Sequence, residues 1–134
     1  MFPAAPEGVL AARRNAAPGV IFGKLAMLAS SPEAVPERLL ARIIEVMRPE
    51  QIWLFGSRAR GGARPTSDWD LLVVVADNTT DDELDLVHAW QAVRDLRIPA
   101  DVIPVRRSEF EEARDHAGTL VRTVVGEGVQ IYAR

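Results

Sequence analysis

The stretch Asp68-Trp69-Asp70-Leu71-Leu72-Val73-Val74-Val75-Ala76 constrains the fold of this chain more than any other. Its apolar, β-branched composition reads as a strand over residues 69–76. Alternate side chains of a strand share a face, so Asp68 and Asp70 project together while Trp69 and Leu71 point the other way into packing. Two carboxylates this close repel, and one tends to keep its proton unless a cation lies between them. The strand has no lysine or arginine of its own for that purpose. A divalent cation meets the need, because Mg²⁺ or Mn²⁺ typically takes one or two carboxylates plus substrate phosphates. Taken alone, the pair also fits a strand cap at Asp68 and a solvated Asp70.

What precedes the pair favours the metal reading. Gln51 to Phe55 (QIWLF) is short, aromatic and β-branched, and it ends at Gly56, so it reads as another strand. Residues 56–67 form a loop with three glycines and a proline. Gly56 allows a tight turn in which backbone amides can approach phosphate oxygens, and the Ser57 hydroxyl adds a donor. Arg58 and Arg60 supply positive charge there; Arg64 reads as a solvated loop residue. A third carboxylate, Asp101, opens the apolar run DVIPV. If that run is a strand beside the Asp70 strand, Asp101 lies next to Asp70 and can act as a base; read alone, it is a strand-end aspartate.

The remaining elements follow from local signals. Leu39, Leu40, Ile43, Ile44 and Met47 make one face of a helix over residues 36–47, stopped by Pro49. Thr80 and Glu83 form a capping box that opens a helix to about Leu96, with Leu84, Val87, Trp90 and Val93 as its apolar stripe. Pro104 places the DVIPV strand at an edge or an end. Ser108 to Glu111 reads as a second capping box, heading a helix interrupted at Gly118 and closed by Gly126 and Gly128. Residues 129–132 add a short final strand. Two strands joined by a twelve-residue loop are expected to run antiparallel, and the strand after a helix can lie parallel to its neighbour. The expected class is α+β, an α/β sandwich with a small mixed sheet and helices packed mainly on one face.

Composition narrows the function classes. The chain has 134 residues, which suits one domain, and a net charge of −3, which argues against a broad grip on nucleic acid. The absence of cysteine excludes disulfides, thiolate zinc sites and thiol nucleophiles. His88 and His116 show no zinc-ligand spacing and read as ordinary helix residues. Gly19 to Ser30 faintly resembles a signal peptide, but Lys24 interrupts it, Pro18 sits at its start, and it falls short of the ~20 residues that span a bilayer. Residues 1–30 are therefore expected to be a variable extension, residues 31–134 the functional domain, and the protein cytoplasmic.

Gly-Ser, ten intervening residues, then D-x-D at the head of an apolar strand resembles the nucleotidyltransferase superfamily that includes DNA polymerase beta. The form LFGSRARG…SDWDLLV is similar to the minimal nucleotidyltransferases found in pairs with HEPN-domain toxins, and the likeness runs from about Pro36 to the C-terminus. The resemblance implies that Gly56 and Ser57 hold the β- and γ-phosphates of ATP. It implies that Asp68, Asp70 and Asp101 bind Mg²⁺, with Asp101 also activating the acceptor hydroxyl. It further implies AMP transfer to a partner protein, most naturally a HEPN-type toxin, with no membrane and no DNA template. The alternatives are nucleotidylation of a small molecule such as an aminoglycoside, and an inactive module that blocks its partner sterically.

Overall fold

The computed structural model describes residues 34–134, so the expected extension over residues 1–30 lies outside the described residues. In chain order the elements are α1 (Glu37–Met47), β1 (Gln51–Phe55), α2 (Ser57–Arg60), β2 (Trp69–Val75), α3 (Asp81–Leu84) and α4 (Leu86–Val93). A 3₁₀ turn (Arg94–Leu96) then leads to β3 (Ala100–Arg106), α5 (Arg107–Ala113), α6 (Leu120–Glu127) and β4 (Val129–Ala133). The strands form one mixed sheet in the order β3-β2-β1-β4. β1 runs antiparallel to both β2 and β4, and β2 runs parallel to β3. The crossover between the parallel strands passes through α3 and α4, which gives the chain the length such a connection needs. Pro104 sits in β3, an edge strand, where the missing N–H is tolerated.

β2 is the hub, and its continuous apolar run has a physical cause: both of its faces are covered. Leu71, Val73 and Val75 point into the larger core with Leu39 and Ile43 of α1 and Ala89 and Val93 of α4. Leu72 and Val74 point into a smaller core with Phe110 of α5 and Val121 and Val124 of α6. Fully burying each large aliphatic side chain stabilises by about 1.5–3 kcal/mol. The α1–α4 layer matches the expectation of helices mainly on one face; α5 and α6 add partial cover on the other. Arg42 fastens the larger layer, donating to the Ala92 carbonyl at 2.8 Å and to both Asp95 carboxylate oxygens at 2.6 and 3.1 Å.

Four local expectations need correction. The 56–67 loop contains a helical turn, α2, because Gly56 O accepts from Ala59 N–H and Arg60 N–H. The helix expected over residues 80–96 breaks at Asp85, whose extended backbone ends α3 and whose carboxylate caps α4 at Val87 N–H. That break resets the helical phase: Ala89 and Val93 face the core, while Leu86, Val87 and Trp90 stand exposed. The capping box at Thr80 and Glu83 is present, but the one expected at Ser108 is not. Ser108 N–H instead donates to Asp77 Oδ1 at 2.8 Å, so a residue 31 positions away does the capping. Gly126 lies inside α6, and only Gly128 closes that helix.

Candidate active site

β1 ends where β2 and β3 begin, and this end of the sheet gathers the chemistry. Phe55, the last residue of β1, pairs with Asp70, and Asp70 pairs in register with Asp101 across the parallel ladder. Trp69 N–H donates to the Pro99 carbonyl at 2.9 Å, which holds the two strand starts level. Asp70 is half-buried, whereas Asp68 and Asp101 are exposed. Asp70 and Asp101 share the sheet face of Leu72, Val74, Ile103 and Val105, the face that carries the smaller core. Thus two carboxylates 31 positions apart in sequence become neighbours through strand register alone.

Their proximity has an electrostatic signature. Burial pushes the Asp70 carboxyl above the ordinary carboxylate range, the negative charges of Asp101 and Asp68 push it further, and Arg60 pulls it back. The last effect places Arg60, an exposed residue, within electrostatic reach of the carboxylates.

Gly56 connects β1 to α2 with φ 77° and ψ −160°, a conformation open essentially to glycine alone. A second constraint coincides with it. A Cβ at Gly56 would lie 3.0 Å from Asp70 Cγ and would overlap Asp70 Oδ2 outright. The turn therefore backs directly onto the carboxylate. Ser57 follows, half-buried, as the first residue of α2, where a backbone N–H has no acceptor within the helix.

Arg58 is placed differently from the sequence reading, in which its charge serves phosphates. It is buried, and its guanidinium turns back onto the loop that follows α2. Nε donates to the Ser67 carbonyl at 3.1 Å, and Nη2 lies 2.8 Å from the same oxygen, 3.1 Å from Pro65 O and 3.3 Å from Arg64 O. The guanidinium carbon also lies 4.2 Å from the centre of the Trp69 ring. No periodicity or spacing in the sequence signals this arrangement, since it depends on the path of the loop. Arg64 is exposed, as expected of a solvated loop residue, and its N–H donates to Ser67 Oγ at 2.9 Å.

Among the described residues no group of three His, Cys, Asp or Glu side chains converges into a ready metal cluster. The donor chemistry nonetheless suits a hard divalent ion. Asp70 and Asp101 lie side by side, Asp68 is close enough to raise the Asp70 pKa, and the Gly56 backbone lies directly against the Asp70 carboxylate. Mg²⁺ commonly uses one or two carboxylates and completes its shell with phosphate and water oxygens.

The chain belongs to the polymerase beta nucleotidyltransferase family, whose profile matches residues 39–134. Solved structures that share its fold include two toxin–antitoxin proteins. One is a toxin–antitoxin crystallised with AMP-PNP, with a TM-score of 0.52 and 22% identity over 75% of each chain. The other is a mutant of the toxin–antitoxin MntA-HpeT, with a TM-score of 0.51 and 20% identity over 75% of each chain. No curated protein matches significantly. No helix among the described residues is long and apolar enough to cross a membrane.

Proposed function

We propose that this domain transfers AMP from ATP to a hydroxyl group of a partner protein, a HEPN-type toxin that the modification silences. The observation that carries the reading is the alignment of Asp70 with Asp101 beside the Gly56 turn. Gly56 and Ser57 would hold the β- and γ-phosphates through backbone N–H groups and the serine hydroxyl, with Arg60 adding positive charge. Asp68, Asp70 and Asp101 would hold Mg²⁺ or Mn²⁺. Such an ion supplies charge neutralisation and lowers the pKa of an acceptor hydroxyl.

In the reaction, the acceptor oxygen forms a bond to the α-phosphorus. The bond from that phosphorus to the bridging β-phosphate oxygen breaks, and pyrophosphate leaves with the electron pair. Asp101 takes the proton of the attacking hydroxyl. A hydroxyl is a weak nucleophile near neutral pH and needs this help. Asp68, Arg60 and Asp101 are exposed, so a side chain carried by another protein can reach them. The toxin–antitoxin neighbours, one of them with AMP-PNP, support both the nucleotide and the kind of partner.

The test is to incubate the protein with ATP, Mg²⁺ and its partner and to weigh the partner intact by mass spectrometry. Wild type should add one or more AMP groups, and Asp68→Asn should add none. An unmodified partner that is nevertheless neutralised equally by wild type and Asp68→Asn refutes catalysis and leaves steric binding.

A further inference from the structure

Arg58 is the one buried polar or charged residue among those described, at 8% exposure. A cation taken out of water is costly unless it is compensated, and replacing it with an apolar side chain of similar volume is often neutral or stabilising. Stability alone therefore does not explain an arginine here. An arginine can instead gather several acceptors at once through its planar fork, which an aliphatic side chain cannot do and a lysine does poorly.

Three acceptors of that guanidinium come from one loop. Arg64 O, Pro65 O and Ser67 O surround the guanidinium, and Ser67 O lies within reach of both Nε and Nη2. The Trp69 ring lies 4.2 Å beneath. Ser67 and Trp69 are the two chain neighbours of Asp68, so the guanidinium holds the Ser67 carbonyl on one side of that carboxylate and the Trp69 ring on the other. At its other end Arg58 follows Ser57 directly in α2. A single side chain thus joins the Gly56-Ser57 turn to Asp68, across a loop that carries Gly61 and Gly62.

We propose that Arg58 is a positioning residue. It sets the distance between the Gly56-Ser57 turn and the Asp68 carboxylate, so that a nucleotide triphosphate and the carboxylate address the same divalent cation. The inference rests on the reading of the site given under Proposed function, and it replaces a direct phosphate contact by Arg58 with an indirect role. Residues that orient a metal ligand without touching the metal typically matter about 10- to 100-fold in metal affinity.

The test uses the full chain as wild type, Arg58→Lys, Arg58→Met and Trp69→Phe, with Mn²⁺ binding followed by the paramagnetic resonance of the free ion in the presence of AMP-PNP. Nucleotide binding without metal is followed separately by calorimetry, and folding by thermal melts. Arg58→Lys keeps the charge but loses the fork, so its Mn²⁺ affinity should fall about 10- to 100-fold. Its metal-free nucleotide affinity should stay within about threefold of wild type, well under the full loss of a charged hydrogen bond. Trp69→Phe keeps a ring face under the guanidinium and should bind Mn²⁺ like wild type.

A direct phosphate role predicts the reverse split, with nucleotide affinity falling in Arg58→Met and Mn²⁺ affinity tracking it; that result overturns the proposal. A purely structural role predicts a lower melting temperature with unchanged Mn²⁺ affinity in the folded fraction, and it overturns the proposal equally. Wild type that binds neither Mn²⁺ nor nucleotide refutes the underlying site reading and takes this inference with it. Wild-type binding that Arg58→Lys preserves in full refutes the inference alone.

Discussion

Replacing Gly56 with alanine tests the most closely constrained point of the site. Two separate costs are expected. The first is backbone strain: φ 77° with ψ −160° lies in a region that L side chains almost never occupy, and holding alanine there costs about 1–3 kcal/mol. The second is steric. The new Cβ would sit 3.0 Å from Asp70 Cγ and 3.3 Å from Asp70 Cβ, and it would overlap Oδ2, so the carboxylate or the turn must move. Forcing an extra carbon into a packed site typically costs a further 1–3 kcal/mol, roughly. The sum is about 2–6 kcal/mol, and at roughly 4 °C per kcal/mol for a domain of this size it lowers the melting temperature by about 8–24 °C.

A double-mutant cycle separates the two costs, because Asp70→Ala removes Oδ2 and Cγ while leaving the backbone conformation to be satisfied. In that background Gly56→Ala should cost only the first 1–3 kcal/mol, approximately. Thermal and urea melts in the presence of a chelator measure all four corners of the cycle without interference from metal. A Gly56→Ala protein that melts with the parent would refute the strained turn. An equal cost in both backgrounds would refute the contact with Asp70.

Two further outcomes are expected. Because its pKa is raised in the folded state above the ordinary aspartate value of 3.8, Asp70 contributes stability that is complete at pH below 3.8 and is lost as pH rises through the folded value. Metal-free Asp70→Asn should therefore melt close to wild type at pH 3 but above it at pH 7, with Mg²⁺ raising the wild-type midpoint only; a mutant that is less stable at pH 7 contradicts the assigned burial and repulsion. Ser57→Ala should weaken ATP binding by the worth of a hydrogen bond to a charged group, about 1.5–3 kcal/mol or at least tenfold. Arg60→Ala should weaken it in the same direction, and calorimetry that finds both variants unchanged would place the nucleotide elsewhere.

The sequence alone determined what depends on near neighbours. The alternation of strand side chains puts Asp68 and Asp70 on one face as an expectation, and the β-branched apolar run behind them reads as the buried strand that forms there. Gly56-Ser57 at the end of QIWLF marked the turn, and the Thr80–Glu83 box was legible because its partners lie three residues apart. Pro104 announced an edge strand for the same kind of reason, the loss of a single N–H.

Tertiary structure decided whatever depends on which distant group arrives first. The pairing of Asp70 with Asp101 needed the order of the strands, which the spacing left conditional. Val87 and Trp90 looked like core residues until Asp85 broke the helix and packing against β3 selected Ala89 and Val93 instead. Ser108 lost its expected capping role because Asp77 reaches its N–H first. Arg58 reads in sequence as one more charge in a basic loop, yet the path of that loop around Trp69 turned it inward onto carbonyl groups. In each case the local signal named a group capable of a bond, and the fold chose its partner, because a buried donor or charge must be satisfied by whatever acceptor the packing delivers.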